Sequence, residues 1–263
     1  MKRVVRRRIR DGVLYAVLVG AVVAFALLAN WSQIHANFFN YSVVKQLWPD
    51  IITTAAVNTV KYTAIAFIGG LAAAMLLALM KMSPVAPYRW LATAYIEFFR
   101  GLPALVVIFL MAYGVSLAFD WNPPGGLLGA GLIALIMTYS AYMAETLRAG
   151  LQAVPAGQTE AARSLGMGPV ATLVHIVIPQ AIRIVIPPLT NEFVLLIKDT
   201  ALLSVVGMQY DQVDLTQFGR NALNTYASAT PLIAIAIVYL IISIPLTQLV
   251  AWLEKRQQRA TGR

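Results

Sequence analysis

Apolar runs long enough to cross a lipid bilayer recur along most of the chain. A transmembrane helix needs about 20 mostly apolar residues, and runs of about this length start near residues 13, 51, 91, 127 and 231. Of the 263 residues, 59% are hydrophobic and only 12% are charged, a smaller charged share than soluble domains have. The sequence therefore predicts an all-α polytopic membrane protein with about six transmembrane helices.

The first predicted span, over residues 13–29, follows a basic head, a pattern that also fits a signal peptide. Because the apolar run continues through Leu27 and Leu28, we interpret it as an uncleaved span. Residues 30–50 are polar and aromatic, which is typical of a segment lying at the membrane interface. The other spans are predicted over residues 51–80, 91–117, 127–147, 189–208 and 231–253.

Basic residues are distributed unevenly over the two predicted sides of the membrane. One side holds both chain ends, residues 157–181, and the basic side chains Lys81, Arg89, Arg148, Arg163 and Arg183. The opposite loops contain only Lys45 and Arg220 as bases. Because cytoplasmic loops have the excess of Lys and Arg, the first side is predicted to be cytoplasmic. The net charge of +9 then reflects topology and attraction to anionic lipid, rather than binding to nucleic acid.

Residues 157–181 interrupt the apolar pattern with polar and small side chains. Thr159 is placed to cap a short helix, and Glu160 then falls in its first turn, where the helix dipole favours an anion. Gly166 or Gly168 can end this helix in a left-handed conformation before the following proline. Its small apolar face comprises Ala161, Ala162 and Leu165. The pattern fits a helix that docks in a groove of another protein, and it equally fits a connecting loop that happens to be helical.

The same residues resemble a known signature. Its elements here are Glu160-Ala161-Ala162, Gly166 and Ile176-Val177-Ile178-Pro179, which match the EAA loop of permease subunits in bacterial ABC importers. The elements that resemble the polar amino-acid branch of that family are Pro179-Gln180-Ala181, Pro187-Pro188, Asn191 and Lys198-Asp199-Thr200. Residues 97–103 and 141–150 are also similar, although Leu102 stands where a small polar residue is usual. The resemblance covers about residues 57–254.

Membership of this family implies a type I ABC importer permease fold. The transmembrane domain would comprise residues 51–255, with the coupling loop at residues 157–181. Residues 1–50 would be an N-terminal addition, and residues 256–263 would form a basic tail. The family implies that a cytoplasmic ATPase subunit, which binds ATP and Mg, contacts Gln158, Glu160, Ala161, Ala162, Leu165 and Gly166. It also implies a second permease subunit and an extracytoplasmic binding protein. The substrate would be a polar amino acid such as glutamate, glutamine, arginine or histidine.

Several polar side chains lie inside the predicted spans, where an ionisable group costs about 2.5–3.5 kcal/mol and usually faces the protein interior. The fifth span has five that are predicted to line a substrate path: Asn191, Glu192, Lys198, Asp199 and Thr200. Alternatively, Lys198 and Asp199 satisfy each other or bond to carbonyls freed by a kink. In the fourth span, Tyr142 either faces this path or simply packs. Glu145 and Arg148 are spaced to pair on one helix face and to orient the coupling loop.

Catalytic and metal-binding chemistry is not supported by the composition. The chain has no cysteine and only 2 histidines, so thiolate chemistry is excluded and no metal site is predicted. No GxxxxGK[ST] motif is present, so we predict a chain that is not an enzyme, binds no cofactor and leaves ATP hydrolysis to its partner. The competing hypothesis is an ion-coupled secondary transporter that works alone through Glu192, Lys198 and Asp199. A third, an integral-membrane enzyme, would need a clustered acid or metal site.

Overall fold

The computed structural model describes residues 2–260, with side chains from residue 10 to residue 257, and this part of the chain is built from helices. The α-helices are α1 (Lys2–Leu28), α2 (Trp31–Phe38), α3 (Tyr41–Leu47), α4 (Val57–Lys81), α5 (Ala86–Gly101), α6 (Ala104–Phe109), α7 (Ser116–Phe119), α8 (Gly126–Gln152), α9 (Ala156–Ser164), α10 (Pro169–Thr172), α11 (Ile178–Asp199), α12 (Leu215–Tyr226) and α13 (Thr230–Ala260). The π-helical turns are Ile51–Ala56, Leu110–Val115 and Leu173–Val177, and the 3-10 turns are Thr200–Val205 and Tyr210–Gln212.

Helices of bilayer-crossing length confirm the predicted all-α membrane architecture. Within the described residues, those long and apolar enough to cross are Arg10–Leu28, Ile51–Lys81, Gly126–Gln152, Pro169–Val205 and Thr230–Gln257. A bent pair, α5 followed by α6–α7, supplies a sixth crossing when it is counted as one span. With these crossings, α9 and the end of α13 lie on one membrane face. The segments that precede α4, α8 and α13 lie on the opposite face.

The centre of the bundle is the pair α4 and α8, around which α5, α6 and α11 pack. Gly69 of α4 lies so close to α8 that a Cβ atom there would fall 2.8 Å from Ile136 Cδ1. Small residues permit such contacts, and close packing is what associates helices in lipid. Near the far end of α8, a Cβ on Gly150 would lie 2.0 Å from Val185 Cγ1 of α11. The backbone at Gly150, near the end of α8 that leads into α9, therefore packs closely against α11.

The third span, predicted over residues 91–117, contains a sharp bend that the sequence analysis did not predict. α5 ends at Gly101 and α6 begins at Ala104, with a bend of 106° between the two limbs. Proline disfavours helical backbone at the residue before it. Leu102, which precedes Pro103, is accordingly extended, with φ −104° and ψ 141°. The chain therefore turns sharply inside an apolar run.

The prediction that the fifth span starts after Pro187 and Pro188 is wrong. The spanning segment is Pro169–Val205, and both prolines lie inside α11. Prolines are tolerated in membrane helices because neighbouring groups and small local adjustments satisfy the freed backbone. The second half of the predicted loop 157–181 consequently belongs to the spanning helix.

A helix that the sequence did not predict, α12, lies in the connection between α11 and α13. It begins after Asp214, whose carboxylate accepts the backbone N–H groups of Thr216 and Gln217, both at 3.0 Å. Burial raises the pKa of the Asp214 carboxyl above its usual range, while these amide bonds act in the opposite direction. Asn58 of α4 donates to the Asp211 carbonyl at 2.8 Å. The connection is thereby tied to the bundle.

The two ends of the chain extend the bundle. α1 starts earlier than the predicted residue 13, and the window Arg10–Leu28 buries none of its residues within the chain. Residues 30–50, predicted to lie at the interface, form α2 and α3, which pack on α13. The predicted basic tail, residues 256–263, starts inside α13, and residues 261–263 lie outside the described residues.

Candidate functional site

α9 occupies the position predicted for the coupling helix, but it starts earlier in the sequence. Its N-cap is Pro155, which has φ −57° and ψ 132°, and no side chain caps the helix. Proline is favoured at such a start because no helical N–H bond is required there. The predictions that Thr159 is the cap and that Glu160 lies in the first turn are therefore wrong, since both residues lie farther inside the helix.

The end of α9 is confirmed at the first of the two candidate glycines. Gly166 has φ +84°, a left-handed conformation that side chains disfavour. Its N–H donates to the Arg163 carbonyl at 3.0 Å, and the Met167 N–H donates to the Ala162 carbonyl at 3.1 Å. These two bonds form a Schellman motif, which stops the helix and satisfies its last carbonyls. Gly168, in contrast, has extended backbone.

Most of the predicted coupling residues lie on the outside of the protein. We call the exposed ones the α9 surface: Gln158, Glu160, Ala161, Leu165 and Gly166. Leu165 is 85% exposed. The apolar face predicted from three residues is divided, because Ala162 is only 5% exposed and packs within the chain. On its inner side α9 contacts the turn Leu173–Val177, which leads into α11.

Two basic side chains hold one carboxylate on the membrane face where α9 lies. Arg148 donates to Glu145 Oε2 from Nη2 at 2.7 Å and from Nε at 3.1 Å, so the predicted pair forms. Lys81, at the end of α4, donates to the other oxygen, Glu145 Oε1. The Lys81 and Glu145 side chains are each 17% exposed. The group joins α4 to α8, which the spacing of Glu145 and Arg148 alone could not indicate.

We expect Glu145→Ala to lower the free energy of unfolding by about 3 kcal/mol, because two cations then lose their shared anion at a largely buried position. Arg148→Ala keeps the Lys81 pair and is expected to cost only about 1 kcal/mol. Denaturant unfolding of the purified chain in detergent, followed by circular dichroism, measures both. Exchanging the charges in a double variant, Lys81→Glu with Glu145→Lys, should recover part of the loss. Equal losses for the two single variants would contradict a shared carboxylate.

A second group of polar side chains lies between the end of α5, α8 and α11. Tyr139 donates to Asp199 Oδ2 at 2.9 Å, and its ring centre is 6.3 Å from that of Tyr142. The Arg100 guanidinium carbon lies 5.7 Å from the centre of the Tyr142 ring. Glu192 is half-buried and interacts electrostatically with Arg100 and with Asp199. We call these five residues the polar cluster.

The polar cluster contains half of the residues predicted to line a substrate path, namely Tyr142, Glu192 and Asp199. Asn191 and Lys198 are exposed on α11 and are not part of the cluster. Asp199 pairs with Tyr139 rather than with Lys198. The prediction for Thr200 is wrong, because this residue is fully buried and its hydroxyl donates to the Ile197 carbonyl at 2.7 Å.

Sequence reasoning missed Tyr139 and Arg100. Tyr139 precedes Tyr142 by one helical turn, so the two share a face of α8, and this spacing was an available signal. Arg100 lies in the segment 97–103 that resembles the family, but its position depends on a bend that the sequence analysis did not predict. Its position at the end of α5, just before the bend, brings it to α8.

Comparison with known proteins shows which family the chain belongs to. A family model described as "Binding-protein-dependent transport system inner membrane component" matches residues 68–259. The chain belongs to this family. The permease is 38% identical to the probable glutamine ABC transporter permease protein GlnM of Bacillus subtilis (strain 168) over 210 residues, 77% of this chain and 91% of GlnM. It is 33% identical to the arginine transport system permease protein ArgU of Corynebacterium glutamicum over 261 residues, 93% of this chain and 81% of ArgU.

Solved structures agree with these relatives. A crystal structure of an amino acid ABC transporter with histidines has a TM-score of 0.73 and 39% identity to the permease, covering 82% of this chain and 97% of that chain. A bacterial ABC transporter involved in the import of the polysaccharide alginate shares the fold at 13% identity, with a TM-score of 0.64 and coverage of 98% and 99%. The predicted resemblance to permeases of amino-acid ABC importers is confirmed, and the permease is a transport component of the inner membrane.

Proposed function

We propose that the permease forms the membrane path of an ATP-driven importer for a polar amino acid. The observation that carries the proposal is the α9 surface, on which Leu165 is 85% exposed and Glu160 is also exposed. Such a surface, held by a Schellman cap outside the spans, suits a groove on another protein. We assign that groove to cytoplasmic ATPase subunits. A second permease subunit and an extracytoplasmic binding protein complete the proposed complex.

The proposed orientation places the α9 surface and both chain ends in the bacterial cytoplasm. It rests on the excess of basic residues on that membrane face. ATP and Mg are assigned to the ATPase subunits, because this sequence has no phosphate-binding loop. The permease contributes motion and a path rather than a chemical step.

The proposed mechanism transmits the closure of the ATPase dimer through α9. ATP draws the two α9 helices of the complex together. α9 contacts the turn Leu173–Val177, and this turn continues into α11, which contains Glu192 and Asp199. A displacement of α9 therefore has a short route to the polar cluster. Rigid-body rocking of the spans then alternates access, and α9 needs only to shift the balance between the two states.

The polar cluster has the charges that a zwitterion requires. Arg100 can pair with the carboxylate of an amino acid, and Glu192 and Asp199 can pair with its ammonium group. Two carboxylates against one guanidinium leave the cluster with net negative charge. A substrate with an anionic side chain is disfavoured there by like-charge repulsion. We therefore propose that the permease favours neutral or cationic amino acids, such as glutamine or arginine, over glutamate.

Uptake of radiolabelled amino acids into proteoliposomes tests the proposed function. The vesicles contain the permease with its ATPase and are supplied with the binding protein. We expect uptake that requires ATP on the side of the α9 surface, with glutamine or arginine preferred to glutamate. Uptake by this chain alone, driven by a proton or sodium gradient, would instead establish the secondary transporter.

A further inference from the structure

A groove between α3 and α13 is not used by the proposed transport path. Its volume is about 420 Å³, and its lining includes Tyr41, Val44, Trp48, Ile237 and Ile241. All five side chains are exposed on the outside of the bundle. The wall formed by α3 precedes residues 68–259, which match the family. The groove is therefore built partly from residues that precede the family match.

The groove is preformed, because α2 and α3 are fixed to α12 and α13. Val43 and Leu47 of α3 are buried in one apolar cluster with Leu215 of α12. The Asn40 N–H donates to Thr230 Oγ1 at 3.1 Å. A wall held by buried packing and hydrogen bonds does not collapse to close the groove, so its apolar lining must be covered by something else.

The dimensions of the groove fit one leaflet of a bilayer. Its lining on α13 extends from Thr230 to Ile241, which is about 16 Å at the rise of an α-helix. Half of a hydrocarbon core of about 30 Å is about 15 Å. Thr230 starts α13 on the membrane face opposite α9. The groove therefore follows the path of an acyl chain from that interface towards the bilayer centre.

The helix α3, which forms one wall of the groove, contains an exposed cation. Lys45 is exposed, and it shares a helix face with Tyr41 and Trp48, which line the groove. Within the described side chains Lys45 forms no ion pair. Two polar contacts, Asn40 to Thr230 and Tyr210 to Asp50, flank α3 and keep it at the level of the interface. A lysine there attracts the phosphate of an anionic lipid.

We propose that the groove binds an anionic phospholipid from the leaflet opposite α9, with an acyl chain along α13 and the phosphate at Lys45. The apolar lining, the length of the groove and the cation on α3 each fit a different part of this ligand. The lipid would cover the outer side of α3 and link it to α13. Neither the polar cluster nor the α9 surface takes part.

Native mass spectrometry of the full-length permease with its partner subunits tests this site, after exchange into detergent with dioleoylphosphatidylglycerol or dioleoylphosphatidylcholine. We expect one retained phosphatidylglycerol per permease chain. Ile237→Trp obstructs the groove and should abolish retention, whereas Leu249→Trp, an exposed position on the same helix outside the groove, should not. Lys45→Gln should lower phosphatidylglycerol retention about fivefold, and the exposed Lys61→Gln should leave it unchanged.

Two outcomes would overturn the proposal. Equal lipid retention by the Ile237→Trp and Leu249→Trp variants would show that the groove is not the binding site. Equal retention of the two lipids by the unmodified chain would remove the role assigned to Lys45.

Discussion

Glu160→Lys is expected to lower ATP-driven uptake by at least about 30-fold, because reversing one charge in a docked interface costs 2 kcal/mol or more. Glu160 is exposed on α9, and in the described structure it forms no ion pair. Its side chain is therefore free for a partner, and folding of the permease should not suffer. Uptake in proteoliposomes and co-purification of the ATPase subunits measure the two consequences.

The matched control is Glu254→Lys, which reverses another exposed glutamate near the end of α13. This variant should keep uptake within about twofold of the unmodified permease, as is usual for surface substitutions. If the two variants transported equally well, the α9 surface would not be the docking site.

Glu192→Gln is the second substitution with a large expected effect. The amide keeps the shape of the side chain but removes the charge that the polar cluster offers to an ammonium group. Loss of one hydrogen bond to a charged group corresponds to about a 10- to 100-fold decrease in uptake of the preferred substrate. ATP hydrolysis by the complex without substrate should persist, which separates a binding defect from failed assembly.

Thr200→Val is the control for the same helix end. Thr200 is buried, and its hydroxyl donates to a carbonyl of its own helix turn, so the variant should keep substrate preference. An unchanged rate and preference in Glu192→Gln would remove the polar cluster from the substrate path.

The spans could be predicted because membrane insertion depends on apolar content, which is a local property of sequence. Their breaks could not, and prolines show why. Pro103 lies at a bend of 106°, whereas Pro187 and Pro188 lie inside a continuous α11. The same ring restricts the backbone in each case. Whether the helix bends or continues depends on which neighbouring groups satisfy the backbone carbonyls that proline leaves without a donor. A single sequence does not contain that information.

In the candidate site, too, some features could be predicted from the sequence and others could not. The left-handed Gly166 was predictable because a helix end is determined within a few residues. The contacts of Lys81 with Glu145 and of Tyr139 with Asp199 join residues 64 and 60 positions apart. Such pairs depend on helix packing, which short-range spacing does not specify. The sequence indicated that polar groups lie inside the spans, but it did not indicate how they are grouped.

The most direct test of the central claim is cysteine labelling of the α9 surface. The natural chain has no cysteine, so Leu165→Cys introduces a single thiol. A membrane-impermeant maleimide should label it in inside-out vesicles but not in right-side-out vesicles, and bound ATPase subunits should protect it. Labelling from the outside, or full labelling with the ATPase bound, would contradict the assignment of α9 as the cytoplasmic coupling helix.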